Sequence, residues 1–112
     1  MTTGRILVVD DEINIRGALV TLLEKKRYQV RGAGTGEEAL EQLETAAADL
    51  VLTDLKMPGM GGMEFLRRLK QKWPDIEVLV MTAYGSIDTA IEAMRCGAYD
   101  YLTKPIDRER FP

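Results

Sequence analysis

The chain has 112 residues, enough for one small domain with a modest core, and its 46% hydrophobic and 29% charged content suits a globular protein in water. A net charge of -3 and a pI near 5.0 supply no basic field, which sets aside direct contact with nucleic acid or an anionic membrane. One cysteine, Cys96, excludes an internal disulfide framework and fits a reducing cytoplasm, while the absence of histidine removes the usual general base and zinc ligand.

Apolar runs of about five or six residues fall far short of a bilayer span, and no secretory leader precedes the first strand. That strand is Arg5-Ile6-Leu7-Val8-Val9, and it ends in Asp10-Asp11-Glu12. Three successive acids repel one another, so a cation nearby is expected, although a helix N-terminus also favours negative charge. A helix from Glu12 to Lys26 carries Ile15, Ala18, Leu19, Leu22 and Leu23 as its core stripe, with Ile13, Gly17 and Val20 opposite. Tyr28-Gln29-Val30-Arg31 reads as a short edge strand. The glycines of Gly32-Ala33-Gly34-Thr35-Gly36 lack the spacing of a dinucleotide loop, whereas Thr35-Gly36-Glu37-Glu38 forms a capping box for a helix from Gly36 to about Ala46.

Asp49 to Asp54 is a buried apolar strand ending in a carboxylate, followed by the turn Met57-Pro58-Gly59. Taken alone, Asp54 reads more readily as a solvated turn residue. A helix after Gly61-Gly62 turns Phe65, Leu66 and Leu69 inward and stops at Trp73-Pro74-Asp75. Ile76 to Thr82 is the fourth strand. Ser86 caps a helix that places Ile87, Ala90, Ile91 and Met94 inward and ends at Gly97. Ala98 to Thr103 is a fifth strand, closed by Lys104-Pro105. This alternation predicts an α/β fold with a parallel sheet, right-handed crossovers and helices on both faces.

In a parallel sheet all five strand exits share one edge, where open α/β sheets bind their ligands. Those exits supply Asp10, Asp11, Asp54, Thr82 and Lys104. Carboxylates without histidine or thiolate suit a hard cation, foremost Mg²⁺. A lysine and a hydroxyl beside them suit phosphoryl oxygens. Asp54, on the strand expected to be central, is the candidate nucleophile for an acyl phosphate.

Val8-Val9-Asp10-Asp11-Glu12, Leu52-Thr53-Asp54-Leu55-Lys56-Met57-Pro58-Gly59, Met81-Thr82-Ala83 and Thr103-Lys104-Pro105 together resemble the receiver domain of two-component response regulators, over nearly the whole chain. The resemblance implies a flavodoxin-like, doubly wound five-stranded parallel sheet of order 2-1-3-4-5. It implies that Asp54 accepts a phosphoryl group from a partner histidine kinase. Asp11, Asp54 and the backbone carbonyl of Lys56 would hold Mg²⁺, with Asp10 assisting directly or through water. Thr82 and Lys104 would bind phosphoryl oxygens, Tyr101 would turn inward as Thr82 moves, and Lys104-Pro105 would be a cis peptide. Such a domain is a regulatory switch rather than a turnover enzyme. Lys56 and Tyr84 flank the site and would tune access of water to the phosphoryl group.

The wording Leu55-Lys56-Met57-Pro58-Gly59-Met60 and Thr82-Ala83-Tyr84-Gly85-Ser86 is most similar to receivers of nitrogen-regulation and dicarboxylate-transport type activators, which precede an ATPase module and a DNA-binding module. Residues 1–112 then form a receiver domain from a longer protein whose output domain is missing. A receiver module of a hybrid sensor kinase and a single-domain regulator remain alternatives. A haloacid-dehalogenase-like phosphatase would need an Asp-x-Asp motif at the first strand, where Asp10-Asp11-Glu12 stands. The family's fifth helix is cut short at Phe111-Pro112, so half of one sheet face is expected to lack cover, favouring a homodimer through the surface of the fourth helix and fifth strand.

Overall fold

The computed structural model describes residues 4–56, 59–82 and 87–103. Within them the order is β1 (Arg5–Val9), α1 (Ile13–Lys25), β2 (Gln29–Ala33), α2 (Gly36–Thr45), β3 (Leu50–Asp54), α3 (Gly62–Lys72), β4 (Glu77–Thr82), α4 (Ile87–Arg95) and β5 (Asp100–Thr103). All four strand pairings are parallel, and the sheet order is β2-β1-β3-β4-β5. β3 is therefore central, as expected for the strand that carries Asp54.

Side-chain alternation along the strands divides the core in two. Leu7, Val9, Val51, Val78 and Val80 pack with Ala39 and Leu43 of α2 and Phe65, Leu66 and Leu69 of α3. Ile6, Val8, Leu52, Met81 and Leu102 face the other way, together with Leu19 and Leu23 of α1. Among the described residues of this second face, Met81 and Leu102 are 0% and 6% exposed. Residues 104–112, on which the expectation of a cut-short helix rested, lie outside the described residues.

Helix starts and stops follow local chemistry. Thr35 Oγ1 accepts the Glu38 N–H at 3.0 Å, and Glu38 Oε1 accepts the Gly34 N–H at 2.9 Å, a capping box shifted by one residue on its return bond. Thr35→Ala is expected to cost about 1 kcal/mol, seen in urea as an earlier midpoint with unchanged slope. After α4, Ala98 N–H donates to the Ala93 carbonyl and Gly97 N–H to that of Met94, with Gly97 at φ +109°, completing a Schellman stop. The Ser86 cap lies outside the described residues. Arg5 N–H donates to Asp49 Oδ2 at 2.8 Å, and this bond holds the Asp49 carboxyl below its ordinary value. The folded state thus favours the charged form, a contribution present above the ordinary carboxylate range and lost as pH falls.

Two helices are rotated relative to expectation. On α1, Ala18 is exposed and only Leu19 and Leu23 are fully buried, with Ile15 and Leu22 half-buried at the edges of the stripe. On α4, Ile91 and Met94 are exposed at 46% and 39%, while Ala90 and Ala93 are buried. The hydrophobic stripe ranks Ile and Met above Ala, but small side chains let this helix seat close to β4 and β5 and leave the larger ones outside. Strand bounds shift by a few residues: β2 extends to Ala33, and Ala98 is buried ahead of β5 rather than in it.

Candidate phosphoacceptor site

The strand register explains how residues far apart in the chain meet. Val9 pairs with Thr53, so Asp10 and Asp54 leave neighbouring strands at the same level, and Asp54 pairs with Met81, one residue before Thr82. Thr82 in turn pairs with Thr103. Asp10, Asp54 and Thr82 are buried, at 0%, 8% and 2% exposure, while Asp11 is exposed beside them. One carboxylate oxygen from each of Asp10, Asp11 and Asp54 lies within 4.8 Å of the other two. An all-oxygen, triply anionic donor set of this size fits a hard divalent cation and suits softer metals poorly.

Backbone groups fix the carboxylates. The Glu12 N–H donates to Asp10 Oδ1 at 2.9 Å, and the Lys56 N–H donates to Asp54 Oδ1 at 3.0 Å. In each case the residue two positions on binds the side chain, an Asx turn that orients an acid at a strand exit. Asp10 is held further through its main chain, its N–H donating to the Ala33 carbonyl at 3.1 Å and its carbonyl accepting from Arg16 Nη1 at 2.9 Å. Behind Asp54, Leu55 N–H donates to the Met81 carbonyl and Gly62 N–H to the Leu55 carbonyl.

Four of the expected site residues, Asp10, Asp11, Asp54 and Thr82, therefore gather at one edge. Lys56 is exposed next to Asp54. Tyr101 lies on β5 opposite Val80, half-buried against the α2–α3 side of the core. Lys104, Pro105 and Tyr84 lie outside the described residues. Two contributors were not foreseen from the sequence. Arg16 looks like an ordinary helical cation, and Gly62 like the second half of a flexible pair. A glycine at the first position of a helix, where nothing in helix formation favours it, is the signal that marks Gly62.

Known proteins are similar to this chain over most of its length. Residues 6–112 match the family model described as the response regulator receiver domain. The transcriptional regulatory protein ZraR of Klebsiella oxytoca is 48% identical over 105 residues, which cover 94% of this chain and 24% of the relative. The response regulator protein PilR of Pseudomonas aeruginosa is 41% identical over 110 residues, covering 98% and 25%. Among solved structures, NtrX from Brucella abortus has a TM-score of 0.93 at 34% identity, covering 98% of this chain and 25% of that one. A receiver domain protein from Clostridium thermocellum has a TM-score of 0.89 at 38% identity, covering 96% and 86%. ZraR and NtrX bear out the similarity to activators of the nitrogen-regulation type. The chain spans about a quarter of the length of the curated relatives it matches. Because the match runs from the first strand to residue 112 and the sheet has the order expected of it, this chain belongs to the response regulator receiver domains.

Proposed function

We propose that the chain is the phosphoacceptor switch of a cytoplasmic two-component system, with Asp54 taking a phosphoryl group from the phosphohistidine of a partner kinase. The observation that carries this reading is the meeting of Asp10, Asp11 and Asp54 within 4.8 Å at the exit of the central strand. An Asp54 carboxylate oxygen forms the new bond to phosphorus as the phosphorus–nitrogen bond breaks, and the leaving imidazole keeps the electron pair and takes up a proton. The Lys56 N–H on Asp54 Oδ1 sets the rotation of the carboxylate before the donor arrives. Asp10, Asp11, Asp54 and the Lys56 carbonyl are the residues to hold Mg²⁺, which when bound offsets the negative charge of carboxylates and phosphoryl oxygens.

Thr82 and Lys104 bind the phosphoryl oxygens of the product, a hydroxyl donor and a point charge. Their movement toward Asp54 repositions the segment after β4 together with Tyr101, biasing a two-state surface formed by α4 and β5. Lys56, exposed next to Asp54, sets how readily water reaches the acyl phosphate. The partner of the switched surface is an output domain beyond these 112 residues. Ile91 and Met94, exposed on α4, support a contact surface there that a second copy can also use; a monomer by light scattering across a wide concentration range would remove the homodimer.

Intact mass measured after incubation with a small-molecule phosphodonor tests the assignment. The wild-type chain is expected to gain one acid-labile phosphoryl group only when Mg²⁺ is present, and Asp54→Ala none. A Mg²⁺-dependent acid-labile phosphate on both proteins would overturn the role of Asp54.

A further inference from the structure

We infer that Arg16 is a positioning residue for the acidic site, acting through the main chain of Asp10; this rests on the Mg²⁺-assisted phosphoacceptor reading. Arg16 sits one turn into α1, its N–H bonded to the Glu12 carbonyl, and its half-buried side chain runs back across the end of β2. The stem lies on Gly32, where a Cβ would come within 3.2 Å of Arg16 Cδ. The guanidinium lies on Gly34, where a Cβ would come within 3.0 Å of Nη1. Two glycines thus leave open the track along which the side chain reaches the Asp10 carbonyl, 2.9 Å from Nη1.

That carbonyl belongs to the peptide joining Asp10 to Asp11. A peptide is planar, so a donor fixed on its oxygen fixes the plane from which Asp11 departs. The N–H of Asp10 is fixed from the other side by Ala33. Asp10 is further set by the Glu12 N–H, but Asp11 is exposed, and its direction toward the other two carboxylates depends on this plane. A charged donor on a carbonyl is among the stronger neutral-acceptor hydrogen bonds. Arg16 therefore orders the backbone from which one candidate metal ligand, Asp11, departs, and does so by binding the neighbouring carbonyl.

Calorimetric titration of the 112-residue chain with MgCl₂, with phosphodonor absent, tests this. Arg16→Met keeps an unbranched stem over Gly32 and removes the donor, and about tenfold weaker Mg²⁺ binding is expected with an unchanged circular dichroism spectrum. Arg16→Lys, which retains a cationic donor, is expected to recover part of the loss. Gly34→Ala displaces the guanidinium while leaving its charge in place, and it is expected to weaken binding in the same direction; it also keeps the inference testable if Arg16→Met does not fold. Wild-type affinity in both Arg16→Met and Gly34→Ala overturns the positioning role and leaves the phosphoacceptor reading standing. A wild-type chain that binds no Mg²⁺ overturns both.

Discussion

Gly62→Ala is expected to destabilise the domain by about 3 kcal/mol and to disturb the strand exit that carries Asp54. A Cβ at Gly62 would lie 2.6 Å from the Asp54 carbonyl oxygen and 2.8 Å from that of Leu55, and closer still to Leu55 Cα. All three atoms are backbone, so no flexible side chain can yield. Helix propensity alone would favour the alanine by about 1 kcal/mol, so the sign of the change is a direct measure of the steric term. Gly61 provides the contrast. A Cβ there meets nothing within 4 Å, and its φ of +79° with ψ of 156°, a region essentially confined to glycine, makes backbone strain the main cost, on the order of 1–3 kcal/mol. Urea unfolding of Gly62→Ala is expected to give an earlier midpoint than wild type; an unchanged or later midpoint would show that α3 does not seat against β3 in this way. Slower phosphoryl uptake by Gly62→Ala follows, because the displaced segment also carries the Lys56 N–H that orients Asp54.

Asp10→Asn is expected to separate the stability of the site from its function. Three carboxylates with oxygens within 4.8 Å of one another repel, and two of them are buried. One such pair repels by roughly 1 kcal/mol even at the dielectric constant of water. Asparagine keeps the Oδ1 acceptor used by the Glu12 N–H and removes one charge. The metal-free variant should therefore melt higher than wild type, by roughly 4 °C for a gain near 1 kcal/mol. Mg²⁺ at a hundred times its Kd stabilises a binding-competent chain by about 2.7 kcal/mol, whereas the same concentration should leave Asp10→Asn nearly unchanged. Thermal unfolding with and without MgCl₂ reads both effects. Equal Mg²⁺ stabilisation of the two proteins would remove Asp10 from the metal site, and an unchanged metal-free midpoint would remove repulsion as a feature of it.

The site was legible to the extent that it sits where strands end. Asp10, Asp54 and Thr82 each close an apolar run, and each is found buried at one sheet edge. Asp11 needed only its adjacency to Asp10. The helices were legible as helices but not in their rotation. An apolar stripe on α4 contains both Ala90 and Ile91, which differ by about 100° around the axis, and periodicity does not say which direction the sheet lies in. The structure turns Ala90 and Ala93 inward and leaves Ile91 and Met94 on the surface now available to partners.

What the chain order alone determines is the set of elements and their parallel arrangement, because apolar periodicity, caps such as Thr35 and stops such as Gly97 are written within a few residues of where they act. Tertiary structure decides everything that depends on distance between remote segments. The gathering of Asp10, Asp11 and Asp54, the seat of Gly62 on the backbone of β3, and the reach of Arg16 across Gly32 and Gly34 all join parts of the chain that only packing brings together. Van der Waals exclusion and hydrogen-bond geometry act over a few ångströms in space, and residue spacing along a strand or helix does not encode those distances.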